Sequence, residues 1–354
     1  MSATQELTDA AVEAQMGKII TELGGSLGVL LTSLGTRSGL WAALADAGPL
    51  TVAEVAAKVL VEPSLVREWL RAQAAGGYLE YDPAQETFTL PAAVAAVIHY
   101  GPAGAMVEAC ATMLSSMGEG FGAFSEAFCS GQGFGWHQRT AEHWHGTDAL
   151  TRVALPTELI AAAIGEVAGT LATGGTVVDV GCGYGTPTTA IAELYPAAQV
   201  LGIDYHDASI AHARAAAGGV TNARFEVASA AELPGSGYDL ITFFDSLHDL
   251  GDPRGALTRA RAAVAETGAV LLFEPLSGDR VEDNLNPSGR MFYAVSTLAC
   301  TPNAVSQKTA TSSEPLGAQA GETRLRELAG EAGFTRVRRL DVDAPMNLIL
   351  ELRP

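Results

Sequence analysis

From Val177 onward the chain alternates short apolar runs with amphipathic stretches. VVDV to Val180, YDLITFF from Tyr238 and GAVLLFEP from Gly268 are nearly continuous apolar segments of strand length, the pattern of strands covered on both faces. Residues 199–203 and 224–227 add two shorter strands. Between them, 187–194, 209–217 and 253–265 space their apolar residues as helices do. Such alternation predicts an α/β, Rossmann-like, doubly wound seven-stranded sheet whose ligand crevice lies at the carboxyl ends of the strands. TRVRRLDV and MNLILEL alternate apolar and polar positions around an Asp-Ala-Pro turn, which predicts an antiparallel C-terminal pair at one sheet edge.

The first half reads differently. Residues 11–35 place Met16, Ile19, Ile20, Leu23, Leu27, Leu30, Leu31 and Leu34 at helical spacing, among small residues such as Gly24, Gly25 and Gly28. Such a helix belongs either in the core of the first domain or against a second subunit. GLWAALADAGPLTVAEVAAKV predicts a helix, a Gly-Pro turn and a second helix with Thr51 and Glu54 as a capping box. A third helix ends at Gly76, and YLEYDPAQETFTL predicts a hairpin around Asp-Pro. Three helices and a hairpin make a winged helix. The expected division is an all-α and winged-helix dimerisation domain over 1–100, a helical linker and lid over 101–165, and the sheet domain over 166–354.

VVDVGCGYG, residues 177–185, carries the first chemistry. A strand that breaks into Gly181, Gly183 and Gly185 lets backbone approach a ligand closely, and the helix after it aims free amides at that ligand. The spacing is G-x-G-x-G, with Thr186 where a dinucleotide fingerprint would place its third glycine. Asp179, inside the turn, repels a pyrophosphate and attracts an amino group or a sulfonium. Asp204 closes the next strand, placed to accept hydrogen bonds from both ribose hydroxyls. The balance favours S-adenosylmethionine.

A second constellation follows the fourth strand. FFDSLHDLGDP brings Asp245, His248, Asp249 and Asp252 off its carboxyl end, and Glu274 ends the fifth strand on the same side. A histidine beside a carboxylate can take a proton from an attacking hydroxyl. FGWHQRTAEHWHGTD gathers Trp136, His137, His143, Trp144 and His145, read as an aromatic and imidazole rim over the cleft rather than a metal site, since His143 and His145 diverge on a helix.

Composition narrows the partners. The chain has 354 residues, a net charge of −19, and 48 % hydrophobic against 17 % charged residues, enough for two cores. That field opposes nucleic acid and anionic membranes. The winged-helix stretch 37–86 holds four basic and seven acidic residues, against a DNA reader. Cys110, Cys129, Cys182 and Cys300 form no C-x-x-C pair. Glu6, Asp9 and Glu13 stand where a signal peptide would be basic, and no 18-residue window is wholly apolar and uncharged. The expectation is a cytoplasmic protein with no membrane association.

VVDVGCGYG, GIDYHDASI, YDLITFFDSLHDLGDP and GAVLLFEP together resemble class I S-adenosylmethionine-dependent methyltransferases. With the winged helix in front, the chain resembles the dimeric small-molecule O-methyltransferases of plants and actinobacteria. EDNLNPSGRMFYAVST (282–297) and LGAQAGETRLRELAGEAGF (316–334) look like an actinobacterial winged-helix group of them. The resemblance implies a homodimer, a small-molecule methyl acceptor, and S-adenosylmethionine held by Asp179, Gly181, Gly183, Gly185, Asp204, Tyr205, Ser229, Ala230 and Asp245. It implies His248 as catalytic base, flanked by Asp249 and Glu274. Ser229 stands where the family often has an acid at the adenine. Three other readings stay open: C-methylation of an α-keto acid with a metal on His248 and Asp249, for which no third ligand is evident in 291–304; a regulator that senses S-adenosylmethionine; and a fold retained without methyl transfer.

Overall fold

The apolar positions near the N-terminus become α1, Asp9–Arg37, in the computed structural model, which describes residues 8–354. Glu6 lies outside the described residues. Met16, Ile20, Leu23, Leu27, Leu30 and Leu34 recur at alternating steps of four and three, the seam of a helix that pairs with another helix. All six are exposed by 44 % or more, so the core role is not the one this helix plays. By length and composition α1 could also cross a membrane, because one acid, Glu22, interrupts its apolar stretch. Its last turns are anchored. Trp41 and Trp69 donate their indole N–H groups to the carbonyls of Thr32 and Leu31, at 2.9 and 2.8 Å, and Gly35 leaves room for both rings.

The chain divides into two units, one up to Leu114 and one from Ser115 to Pro354. In the first, α2 (Leu40–Leu44), β1 (Leu50–Thr51), α3 (Val52–Val59), α4 (Pro63–Ala75), β2 (Glu80–Asp82) and β3 (Thr87–Thr89) form the winged helix, followed by α5 (Ala92–Ile98). Thr51 and Glu54 make the capping box at the start of α3. The three strands pair in the order β1–β3–β2. A further helix, α6 (Pro102–Ser130), contains the boundary between the units.

The second unit continues with α7 (Ala141–Ala154), α8 (Thr157–Ile164) and α9 (Ala168–Thr173). The sheet then builds through β4 (Thr176–Val180), α10 (Thr186–Leu194), β5 (Gln199–Asp204), α11 (Asp207–Ala216), β6 (Ala223–Val227), β7 (Tyr238–Phe244), α12 (Pro253–Ala263) and β8 (Val264–Pro275). After α13 (Pro287–Val295), a π-helical turn at Ser296–Cys300 and α14 (Thr301–Ser306), the chain closes with α15 (Gly321–Glu331), β9 (Arg336–Arg339) and β10 (Asn347–Arg353). Strand order is β6–β5–β4–β7–β8–β10–β9, with β10 antiparallel to both neighbours. The order reverses between β4 and β7, where a crevice must open.

Alternate residues feed two cores. Val178, Val180, Ile241 and Phe243 pack under α12 and α15, whereas Val177, Leu240, Leu271 and Phe273 pack with α8, α9 and α10. β10 feeds both, with Leu348, Leu350 and Leu352 in the first and Ile349 in the second. One expectation changes. Helix α12 stops at Ala263 because Val264 already pairs with Tyr238, past a register irregularity.

Candidate active site

Four strand tips and the turns after them build one cleft of about 620 Å³ within the second unit. The glycine turn after β4 forms its floor. Gly181, Gly183 and Gly185 all have positive φ, and a Cβ on Gly181 would collide with Ser246, so the turn needs glycine on conformational and steric grounds. Ser246 ties the turn down by donating to the carbonyl of Val180 at 2.7 Å. Gly181 and Gly183 line the cleft, whereas Gly185 does not: it opens α10 and packs on Phe225.

Two carboxylates organise this half. Asp179 accepts from Thr188 at 2.5 Å and Thr242 at 2.9 Å. Burial pushes its carboxyl up to about 6, against the pull of those two hydroxyls. Asp204 accepts from the backbone N–H of Gly183 and of His206, each at 2.9 Å, and burial raises its pKa too. Each Asp204 oxygen keeps a lone pair, so a ligand's diol can still donate to it. Tyr205, Ser229 and Ala230 line the same cleft.

The other half lies beyond β7. Asp245 sits on the cleft wall with φ of 47°, a left-handed conformation that costs about 1–3 kcal/mol at a non-glycine residue. Its carboxylate accepts from Asn347 at 2.8 Å, and burial pushes it up to about 7. Leu247–Asp249 form a 3₁₀ turn that places His248 under the cleft, 4 % exposed. Its Nδ1 lies 2.6 Å from Glu274 Oε2, and Glu274 Oε1 accepts from the N–H of Leu247 at 3.1 Å. Burial favours the neutral imidazole, yet Glu274 and Asp249 outweigh it and hold the His248 pKa well above the ordinary range. With Nδ1–H committed to Glu274, the neutral ring presents a lone pair at Nε2. The neutral ring therefore has one fixed tautomer.

Asp249 Oδ1 lies 3.5 Å from that Nε2 and is buried with no hydrogen-bond partner. Cys300, at the end of the π-helical turn, brings its Sγ to within 4.8 Å of a donor atom of each residue. Segment 291–304 therefore does supply a third donor beside the His-Asp pair. Burial, then Asp249, pushes the Cys300 thiol up to about 11.

Trp136 and Trp144 line the cleft as the aromatic rim expected of them. The imidazoles beside them do not: His143 Nδ1 lies 3.3 Å from Ser116 Oγ, and His145 Nδ1 lies 2.6 Å from the Ala141 carbonyl. Asp148 of α7, Asn303 of α14, Gln307 and Ser312 also reach the cleft. No short motif marks them, and neither does one mark Thr188, Thr242 or Cys300, whose roles arise from pairing across the sheet.

Comparison with known proteins supplies the context. Residues 171–330 match the model of a methyltransferase domain, and residues 25–99 that of an Rv2258c-like winged helix-turn-helix domain. Curated relatives include trans-aconitate 2-methyltransferases of Paracidovorax citrulli, 30 % identical over 141 residues, and of Deinococcus radiodurans, 35 % over 109. These matches cover 40 % and 31 % of the chain, and the chain spans 52 % and 41 % of those relatives' length. Among solved structures, mitomycin 7-O-methyltransferase aligns with a TM-score of 0.65 at 18 % identity, over 98 % of this chain and 100 % of that one. Human N-acetylserotonin methyltransferase with S-adenosylmethionine aligns at 0.64 and 18 %, over 100 % and 99 %. An O-methyltransferase family protein of Burkholderia thailandensis aligns at 0.65 and 17 %, over 98 % and 99 %. At these identities the likeness is one of fold.

Proposed function

For a chain that joins a methyltransferase domain to a winged helix-turn-helix domain, we propose S-adenosylmethionine-dependent O-methylation of a small molecule, with His248 as the base. The observation that carries this reading is the Glu274–His248 pair, which fixes the ring just beneath the cleft that the neighbouring Asp249 lines. In the reaction the acceptor oxygen forms a bond to the methyl carbon, the carbon–sulfur bond breaks, and the hydroxyl proton passes to Nε2. S-adenosylhomocysteine leaves. Asp204 holds the ribose diol, Gly181 and Gly183 admit the amino-acid end, and Trp136 and Trp144 cover the cleft, so that water is excluded while the acceptor is aligned. The medium size of the cleft and its mixed apolar and polar lining suit a partly aromatic acceptor.

The working form we infer is a cytoplasmic homodimer. Its support is the heptad seam of α1, which a second copy would cover, and the acidic balance of the winged helix, where Arg67 and Arg71 both lie against Glu68 rather than free for phosphate. Calorimetric titration with S-adenosylmethionine and S-adenosylhomocysteine tests the cofactor: binding of both is expected, and binding of neither overturns the proposal. Sedimentation of wild type and Leu27→Glu tests the dimer: the variant should sediment as a monomer, and a monomeric wild type would refute it.

A further inference from the structure

We propose that His248, Asp249 and Cys300 form a three-ligand site for a thiophilic divalent cation, for which Zn²⁺ is the probe. Each of the three side chains offers one donor atom, an imidazole nitrogen, a carboxylate oxygen and Sγ, all within 4.8 Å of one another. The Nε2 to Oδ1 separation is 3.5 Å. Two ligands bound tetrahedrally to zinc at about 2.0–2.1 Å stand about 3.3 Å apart, so those two side chains are already close to their bound spacing.

Three further features point the same way. Asp249 Oδ1 is buried with no hydrogen-bond partner, and a buried acceptor left bare costs about 1–3 kcal/mol that a bound cation would recover. Glu274 grips the far nitrogen of His248 at 2.6 Å, the carboxylate–histidine arrangement that stands behind metal-bound imidazoles and fixes which nitrogen faces the ion. Cys300 reaches the cluster from a π-helical turn, a distortion frequent at functional sites. A donor set of one nitrogen, one oxygen and one sulfur selects zinc-like ions over Mg²⁺ or Ca²⁺, which take oxygen ligands.

At the ion itself a dication, a thiolate, a carboxylate and a neutral imidazole sum to zero, and the Glu274 carboxylate behind the ring adds one negative charge. Three protein ligands leave a fourth position for water or an acceptor oxygen. A cation at Nε2 occupies the lone pair that the base would use. The metal-bound and proton-accepting states of His248 therefore exclude each other, and the binding inference holds whether or not methyl transfer is the activity.

The test uses the full chain after chelator treatment. Co²⁺ titration should give a thiolate-to-cobalt charge-transfer absorption that Zn²⁺ abolishes, and competition with a chromogenic chelator gives the zinc affinity. Cys300→Ser should lose that absorption and bind Zn²⁺ at least about 100-fold more weakly, and Glu274→Gln about 10-fold more weakly. Cobalt bound without the thiolate absorption, or zinc held as tightly by Cys300→Ser as by wild type, overturns the site. Thermal melting shows whether the serine variant is folded. If it is not, Asp249→Asn, which preserves size, is read in its place: weakened zinc binding with the absorption retained supports the site, and unchanged affinity refutes it.

Discussion

The two halves of the cleft treat their buried acids in opposite ways. At the tips of β4 and β5, Asp179 and Asp204 have both oxygens satisfied by the protein itself, through two threonine hydroxyls and two backbone N–H groups. Beyond β7 and β8 the side chains are left with work to do: Asp249 Oδ1 and Asn347 Oδ1 are buried without partners, Asp245 is held in a left-handed conformation, and His248 is gripped by Glu274 at Nδ1. A satisfied network makes a rigid mould for a ligand of fixed shape. Unsatisfied, strained groups belong where protons or ions come and go. The first half reads as the cofactor mould and the second as the reacting half.

The largest expected effect breaks the second half alone. His248→Ala should lower kcat about a hundred- to ten-thousand-fold while leaving S-adenosylhomocysteine affinity unchanged by calorimetry. A variant that kept its turnover would sink the assignment of the base. Asp204→Ala breaks the first half instead. It removes the acceptor proposed for the ribose diol and the anchor of Gly183, so affinity for S-adenosylhomocysteine should fall about 10- to 100-fold, the worth of one or two hydrogen bonds to a charged group. Equal affinity in the variant would move the ribose elsewhere.

A smaller effect sharpens the role of Glu274. Because the carboxylate stabilises the imidazolium, the His248 pKa is raised, and only the deprotonated ring can accept a proton. The rate should therefore rise with pH through an inflection above the ordinary imidazole value. In Glu274→Gln the stabilising charge is gone, the His248 pKa drops, and the acid limb should move to lower pH with a reduced plateau. A pH profile of kcat/KM that does not move would mean that Glu274 holds the loop and does nothing to the ring.

How far the sequence foretold these halves follows the same division. Asp179, Gly181, Gly183 and Asp204 are legible because they belong to one strand–turn–helix–strand unit, in which spacing alone fixes the geometry. Gly185 looks equivalent in that spacing, yet it packs on Phe225 and leaves the cleft wall, which depends on where β6 lies. His248 and Glu274 were readable only as residues at strand ends; their 2.6 Å contact comes from β7 and β8 lying side by side. Cys300 gave no signal at all, because a π-helical turn 52 residues beyond His248 carries it in. Long-range neighbours escape local pattern, and the reacting half is built from them.

The smallest effect probes the mould without touching the chemistry. Thr242→Val keeps the shape of the β7 side chain and removes one of the two hydroxyls that donate to Asp179. Asp179 is buried with a pKa raised to about 6, so its neutral form is the one folding favours. The stability that this preference contributes is complete below the unfolded carboxyl value and is lost as pH rises through the folded one. Losing the Thr242 donor raises the folded value further and makes ionisation costlier. Wild type and variant should therefore melt alike near pH 5 and separate by about 1 kcal/mol near pH 8, with the variant lower. A gap that was widest at acid pH would show that the hydroxyl matters to the neutral carboxyl, and Asp179 would then be a protonated strut rather than the anionic centre of the turn.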